Sequence, residues 1–463
     1  MLILGSKAPT GWRTIVRGVL GVQAALGAVI ADHPPLLAQD RGNPTVTAAA
    51  GQAPALLLGD LYRDVRRENP RAEAARALTR AAEARVPGSK RPPDPQVQFG
   101  FMNYTVPGLK PMDPLGMAQL QVMQMVPVAG KLSLAGKITS SQALAQRERA
   151  NEVEWESRTQ AAMAFYDLYQ TDQALLVARE TLRLLQDLQR TAEAMYRVGE
   201  GRQADVLRAQ VEVARMTEDT IRMQTMRLGM RARINALLNR AGDASIAPPE
   251  VPAFPDSVLT LGELAAAAER GRPMVRAGER DLEAADAGST LARRELWPDL
   301  TLGIQYGQRS GLMNTERMGS LMVGASVPVF ARSRQLRMRE EASAMQAMAR
   351  ADLVAMRSET RGRVTEAFAN LVRARNLIAL YRHTVMPQAE ATVTSSLAAY
   401  RVGSVNFMTA LDSRMTVNRY RQELFTLVAD EGKSWAELEM LLGRELFNPP
   451  VSAGVTEGKG GTR

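Results

Sequence analysis

Two periodicities alternate along this chain, and each alternation occurs twice. Apolar residues recur at helical spacing from Leu56 to Arg85 and again from Leu261 to Glu295, each stretch interrupted by a proline, Pro70 or Pro273. A proline inside a helical pattern kinks the helix or ends it at the preceding residue. Period-two runs follow. Gln96-Val97-Gln98-Phe99-Gly100-Phe101 and Gln119-Leu120-Gln121-Val122 make the first pair. The second pair is Asp299 to Tyr306, started by Pro298, and Ser320 to Val327. Such alternation predicts strands with one apolar face and one polar or small face. Long helical stretches come next. Residues 139–197 contain neither proline nor glycine, and residues 333–401 contain only Gly362 and Pro387. Val364, Ala367, Phe368, Leu371, Ala374 and Ile378 mark one apolar stripe, and Phe165 and Leu168 align with Phe368 and Leu371. With charged residues on the opposite face, these predict long coiled-coil-like rods rather than globular core helices.

The two passages are one unit given twice, about 204 residues apart. Asn69-Pro70 returns as Arg272-Pro273, Pro95 and Gly100 as Pro298 and Gly303, and Met125-Val126-Pro127 as Ser326-Val327-Pro328. Tyr196-Arg197-Val198-Gly199 recurs unchanged as Tyr400-Arg401-Val402-Gly403, and Leu238-Asn239-Arg240 as Leu442-Gly443-Arg444. So long and mixed a unit excludes short-period solenoids and propellers. Each rod ends at Val-Gly, where glycine supplies the left-handed cap of a tight reversal, and returns as Ala204 to Asn239 or Met408 to Leu442.

The expected organisation is therefore as follows. Residues 1–38 form a signal peptide and 39–55 a linker. The first repeat is 56–240, with a β-hairpin at 95–127 and a helical hairpin at 133–240. A linker at 241–257 precedes the second repeat, 258–445, with its β-hairpin at 298–330 and helical hairpin at 333–443. A disordered tail follows at 446–463. The export signal rests on Lys7, Arg13 and Arg17 before the apolar stretch Val19–Ala31, with Leu36-Leu37-Ala38 as the cleavage site. No stretch reaches the roughly 20 apolar residues of a membrane helix. Periplasmic, secreted and outer-membrane barrel proteins stay open at this point.

Composition removes most chemistry. The chain has no cysteine and only two histidines, His33 and His383, so thiolate metal sites, disulfides and histidine-based catalysis lack raw material. The net charge of +9 arises from 58 Lys and Arg against 49 Asp and Glu, largely alternating along helix faces. With aromatics at 5%, nothing resembles a nucleic-acid surface. No residue set suggests an enzyme, and no cofactor is expected.

In this order the motifs resemble the outer-membrane efflux protein family, the TolC-like exit ducts, over residues 56–445. The family pattern is an Asn-Pro-type helix, a Pro-initiated strand, a strand ending at Pro, a long helix, a Tyr-x-x-Gly tip and a returning helix, all given twice. The implied fold class is mainly α with a small β part. Four β-strands per chain complete a 12-stranded trimeric outer-membrane barrel, and long antiparallel coiled-coil helices form a periplasmic tunnel. Four strands cannot close alone, and an open edge cannot face lipid. The resemblance implies a homotrimer in the cell outer membrane, with lipid around it and a periplasmic extension. Its partners would be a periplasmic adaptor protein and an inner-membrane pump, and it would conduct substrates outward. A structural periplasmic spacer or surface fibre is the competing reading, but it has no need of the alternating strands.

The resemblance also places candidate residues. The family's pore-facing acids, three residues apart, fall on Thr409 and Asp412, so only the second is present. Asp205 holds the first position, in the other repeat. A threefold ring of Asp412 would favour cations. The plainer alternative is a salt bridge from Asp412 to Arg414, Arg401 or Arg208. The turns Tyr196-Arg197-Val198-Gly199 and Tyr400-Arg401-Val402-Gly403 are candidates for adaptor docking. Methionines Met102, Met112, Met117, Met123 and Met125 crowd the first hairpin, with Met313, Met318 and Met322 around the second. Several are expected to face lipid. Thioethers suit monovalent copper or silver, and Pro127-Val128-Ala129-Gly130-Lys131 is similar to the Pro-x-x-Gly-Lys of heavy-metal efflux members. Met112, Met117, Met123 and Met125 are therefore weak metal candidates, beside the ordinary use of methionine as flexible packing.

Overall fold

A computed structural model describes residues 55–112, 116–257, 259–310 and 314–451. The expected signal peptide, its linker and residues 452–463 lie outside the described residues.

In the first repeat, β1 (Leu56–Leu57) leads into α1 (Leu58–Glu68) and α2 (Pro70–Ser89). Strands β2 (Gln96–Met102) and β3 (Met117–Val126) precede α3 (Lys131–Arg197) and α4 (Gln203–Leu237). At 67 residues α3 runs for about 100 Å. The second repeat follows β4 (Pro249–Glu250) with α5 (Leu261–Gly271), α6 (Pro273–Arg294), β5 (Leu300–Ser310), β6 (Thr315–Ala325), α7 (Gln335–Leu380), α8 (Met386–Arg401) and α9 (Phe407–Leu442). The short β1 and β4 pair in parallel. The other strands form one antiparallel sheet in the order β2-β3-β5-β6, leaving β2 and β6 as its edges. No helix among the described residues is long and apolar enough to cross a membrane.

The long helix of the second repeat continues through Gly362 but not unaltered into Pro387. Residues Tyr381–Val385 form a π-helical turn between α7 and α8. Pro387 has no N–H to donate, and its ring would press on the carbonyl four residues back, at His383. A wider turn relieves that conflict without ending the helix.

The helices interlock through small apolar residues. Phe165, Tyr166 and Leu168 of α3 bury against Leu58, Leu61 and Val65 of α1 and Ala429 and Ala436 of α9. Close approach is enforced at Gly432, where a Cβ would lie 2.2 Å from the Tyr166 ring. Phe254 of the inter-repeat segment stacks on Trp435, with centroids 6.4 Å apart, and meets Phe447 edge-on at 5.6 Å. This corrects the expectation of disorder from residue 446. The amides of Leu446 and Phe447 donate to the buried carboxylate of Glu439, and Phe447 fills an aromatic niche. Burial pushes the Glu439 pKa up, only partly countered by Arg158 beside it. The Arg158 guanidinium lies 3.9 Å over the Tyr62 ring.

Repeat-equivalent positions solve the same problem differently at the two Pro-initiated helices. Asn69 caps α2 with its own Oδ1, accepting from Arg71 and Ala72 N–H groups at 2.9 and 3.2 Å. Arg272 cannot do this for α6. Instead Glu152 reaches in from α3, and its Oε2 accepts the Met274 N–H at 3.2 Å. Arg272 neutralises it through Nε to Oε1 at 2.9 Å and donates to Thr360 of α7 at 3.0 Å. Glu152 and Arg272 are 1% and 6% exposed, so this pair is core.

Candidate functional site

Period-two alternation and strand register together divide the sheet into two chemically different faces. Val97, Phe99 and Phe101 share a face with Leu120, Val122, Leu302, Ile304, Tyr306, Leu321 and Val323. Most of these are widely exposed, Ile304 at 66% and Leu321 at 76%. The opposite face carries Gln98, Gln121, Gln305 and Ser320 in one register row, and glycines 100, 303 and 307. On the central strand β5 this polar face is the more sheltered one, as the inner face of a curved sheet is. An apolar band outward and polar or small residues inward is the pattern of a membrane barrel wall. Exposed Trp297 and Phe330 lie at the helix-side end of the sheet, where aromatic belts occur.

The methionines obey this division, against expectation. Met102, Met117, Met123, Met125, Met318 and Met322 all project to the polar face. The weak candidate Met112 lies outside the strands, exposed, with its N–H bonded to the Asn103 carbonyl at 2.9 Å. Met313 lies outside the described residues. Among the described residues no group of histidine and carboxylate side chains could hold a metal ion.

Lys131 of the Pro-x-x-Gly-Lys sequence proves to be a joint. Gly130, at φ +70, starts α3, and the buried Lys131 ammonium donates to the Trp297 carbonyl at 2.8 Å and Asp299 at 2.9 Å. It pins the start of the long helix to the foot of β5, which leaves no free lysine there to meet a passing ligand.

At the far end, the two identical tetrapeptides are not equivalent. Both glycines take left-handed backbone, Gly199 at φ +82 and Gly403 at φ +73, with open space where a Cβ would point. Conformation, not room, demands glycine at both. Tyr196 is 48% exposed, whereas Tyr400 is 7% exposed and meets Phe407 edge-on with centroids 5.9 Å apart. Val198 and Val402 stand out into solvent. Arg197 ends α3, and Arg401 ends α8.

A cavity of about 310 Å³ lies between the turns, lined among others by Asp205, Arg202, Arg208, Tyr400 and Asn406. Asp205 sits in the first turn of α4, where the helix dipole favours an anion. Burial, and then the Asp205 charge, raise the Tyr400 pKa. Asp205 thus belongs electrostatically to the tip of the other repeat. Thr409 is taken up by the cap of α9: its N–H and hydroxyl both donate to Oδ1 of the N-cap Asn406 at 2.9 Å. Asp412 is exposed on α9, and among the described side chains it has no ion pair with Arg208 or Arg414. Sequence reasoning overlooked Gly201, where a Cβ would fall 2.8 Å from the Tyr196 nitrogen.

Comparison with known proteins bears on this arrangement. Residues 264–444 match the family described as outer membrane efflux protein. The outer membrane efflux protein BepC of Brucella suis is 23% identical over 250 residues, which are 52% of this chain and 53% of BepC. The match thus spans about half the length of that curated relative. Among solved structures, the transmembrane channel protein CusC superposes with a TM-score of 0.73 at 16% identity, over 86% of this chain and 96% of CusC. The outer membrane protein VceC of Vibrio cholerae gives 0.72 at 16%, over 84% and 96%. The mainly helical fold with a small sheet is therefore one shared with these solved membrane proteins.

Proposed function

We propose that three copies of this chain form a duct through the outer membrane, the exit of a tripartite system that includes a periplasmic adaptor and an inner-membrane pump. One observation carries the reading: a four-stranded sheet with an apolar exposed face, a polar sheltered face and two unpaired edges, β2 and β6. Unpaired strand edges cannot face lipid. Three copies arranged about a threefold axis pair every edge and give twelve strands, with polar residues lining an aqueous lumen.

The purified protein should run as a heat-modifiable trimer and open discrete conductances in a planar bilayer. A soluble monomeric rod without conductance would overturn the proposal and favour a spacer. Its tips are assigned to the adaptor, with Val198, Val402 and Tyr196 as the exposed contacts of the two turns. Gly199→Val or Gly403→Val would force a β-branched residue into left-handed backbone. Adaptor crosslinking that survives either change would count against docking there. Asp412 is assigned to a cation-attracting ring. Block of the channel by multivalent cations should be lost in Asp412→Ala, and unaltered block would dismiss the ring.

A further inference from the structure

The sheet segregates its methionines by face in a way that packing alone does not require. Met102, Met117, Met123, Met125, Met318 and Met322 lie on the polar face, and within β2, β3, β5 and β6 the apolar face has no methionine. Leucine, isoleucine, valine, phenylalanine and tyrosine do the reverse. Every such residue of these four strands is on the apolar face. A wall made merely greasy for apolar cargo would use branched and aromatic side chains as well. This one excludes hydrocarbon and keeps thioether sulfur among amides and hydroxyls.

Glycines bring the sulfurs together. A Cβ on Gly303 would lie 3.4 Å from Met123 Cγ and 3.2 Å from Met322 Cε, so the two side chains converge over that glycine from neighbouring strands. The Gln121 side-chain amide reaches Met322 Sδ at 4.0 Å. Four residues further along the same face of β5, Gly307 repeats the theme: Met117 Sδ would be 2.7 Å from its Cβ, and Met318 is its register partner. The only carboxylate of this face within the described strands, Glu316, is engaged by Arg309. The face therefore offers thioether sulfurs beside neutral amide and hydroxyl oxygens, with its carboxylate already paired. Thioethers select monovalent copper or silver, while carboxylates and carbonyls suit hard divalent ions.

We propose that this face carries thioether sites for soft monovalent cations, Cu(I) or Ag(I), with Met123 and Met322 over Gly303 as the principal pair. The placement of these sites in a lumen rests on the duct reading above; the thioether pair itself does not.

Ag⁺ in chloride-free nitrate is the probe, applied to the full-length protein. The chain has no cysteine, so silver–sulfur scattering at the silver absorption edge can come only from methionine. Wild-type protein in a bilayer should show reversible reduction of conductance by Ag⁺ and none by Na⁺ or Mg²⁺. Met123→Leu/Met322→Leu should keep the silver-free conductance and the heat-modifiable oligomer but lose the silver response and the corresponding bound silver in equilibrium dialysis. Pores that conduct and ignore Ag⁺, or silver binding undiminished in the double variant, would overturn the thioether sites. Complete absence of conductance would instead overturn the duct reading, and dialysis on the same two proteins would still decide the pair. Should the double variant fail to assemble, Gly303→Ala tests the same convergence, since its Cβ would wedge the two side chains apart and weaken silver binding.

Discussion

Replacing Glu152 by alanine probes how the two halves are joined. Glu152 and Arg272 are both core residues, and the carboxylate accepts from the guanidinium at 2.9 Å and from the Met274 N–H at 3.2 Å. Without it, the Arg272 cation stays buried with the Thr360 hydroxyl at 3.0 Å as its remaining named partner, and the first turn of α6 loses its acceptor. Removing one partner of a buried pair costs about 3–5 kcal/mol. The lost helix cap, worth about 1 kcal/mol, belongs to the same event and is not added. The unfolding equilibrium should therefore shift on the order of a thousandfold. Denaturant unfolding of the purified protein in detergent, followed by far-UV circular dichroism at one fixed protein concentration, measures this. The companion variant Glu152→Leu/Arg272→Asn transplants the solution found at Asn69, which caps its own helix. It should recover most of the loss, with a coupling of at least about 2 kcal/mol. The reasoning fails if Glu152→Ala stays within about 0.5 kcal/mol of wild type, or if the double variant is no better than the single.

Other consequences follow from the same geometry. Gly432→Ala drives a methyl into the buried Tyr166 ring and should destabilise by at least the about 1–3 kcal/mol of ordinary overpacking; thermal unfolding of Gly432→Ala/Tyr166→Leu should recover part of it. Tyr400→Ala empties a buried aromatic contact and should cost about 3–5 kcal/mol of tip stability, whereas Tyr196→Ala at the exposed twin should cost under about 1 kcal/mol. Limited proteolysis of the turns would separate the two, and equal sensitivity would refute the asymmetry. Glu439 has a folded pKa raised chiefly by burial, so its contribution to stability is complete below the ordinary glutamate range and is lost as pH rises through the folded value. Glu439→Gln should flatten that part of the stability–pH curve, and an unchanged slope would exclude this residue as its source.

The duplicated order of elements was legible because proline, glycine and period-two alternation act locally. The strands and the Gly199 and Gly403 reversals follow from residues within a few positions of each other. The Glu152–Arg272 pair was not legible, since its partners are far apart in sequence and Arg272 looks only like a missing cap. Nor could identical tetrapeptides reveal that Tyr400 would be core while Tyr196 stayed in solvent. Tertiary neighbours such as Phe407 decide that. The placement of the methionines was available and missed: Met117, Met123 and Met125 share parity with Gln119 and Gln121 on one strand. Treating methionine as just another hydrocarbon sent some of them to the lipid side.

The helix cap shared across the halves also constrains the order in which this sequence could change. From an ancestor with Asn at both Pro-initiated helices, introducing either the glutamate or the arginine first would bury a lone charge. The two substitutions are thus viable together and penalised apart, so a drift back to symmetry is blocked one step at a time. A tandem of two first halves would inherit the glutamate twice and the arginine never. The duplicate has become, in this respect, an obligate complement of its twin.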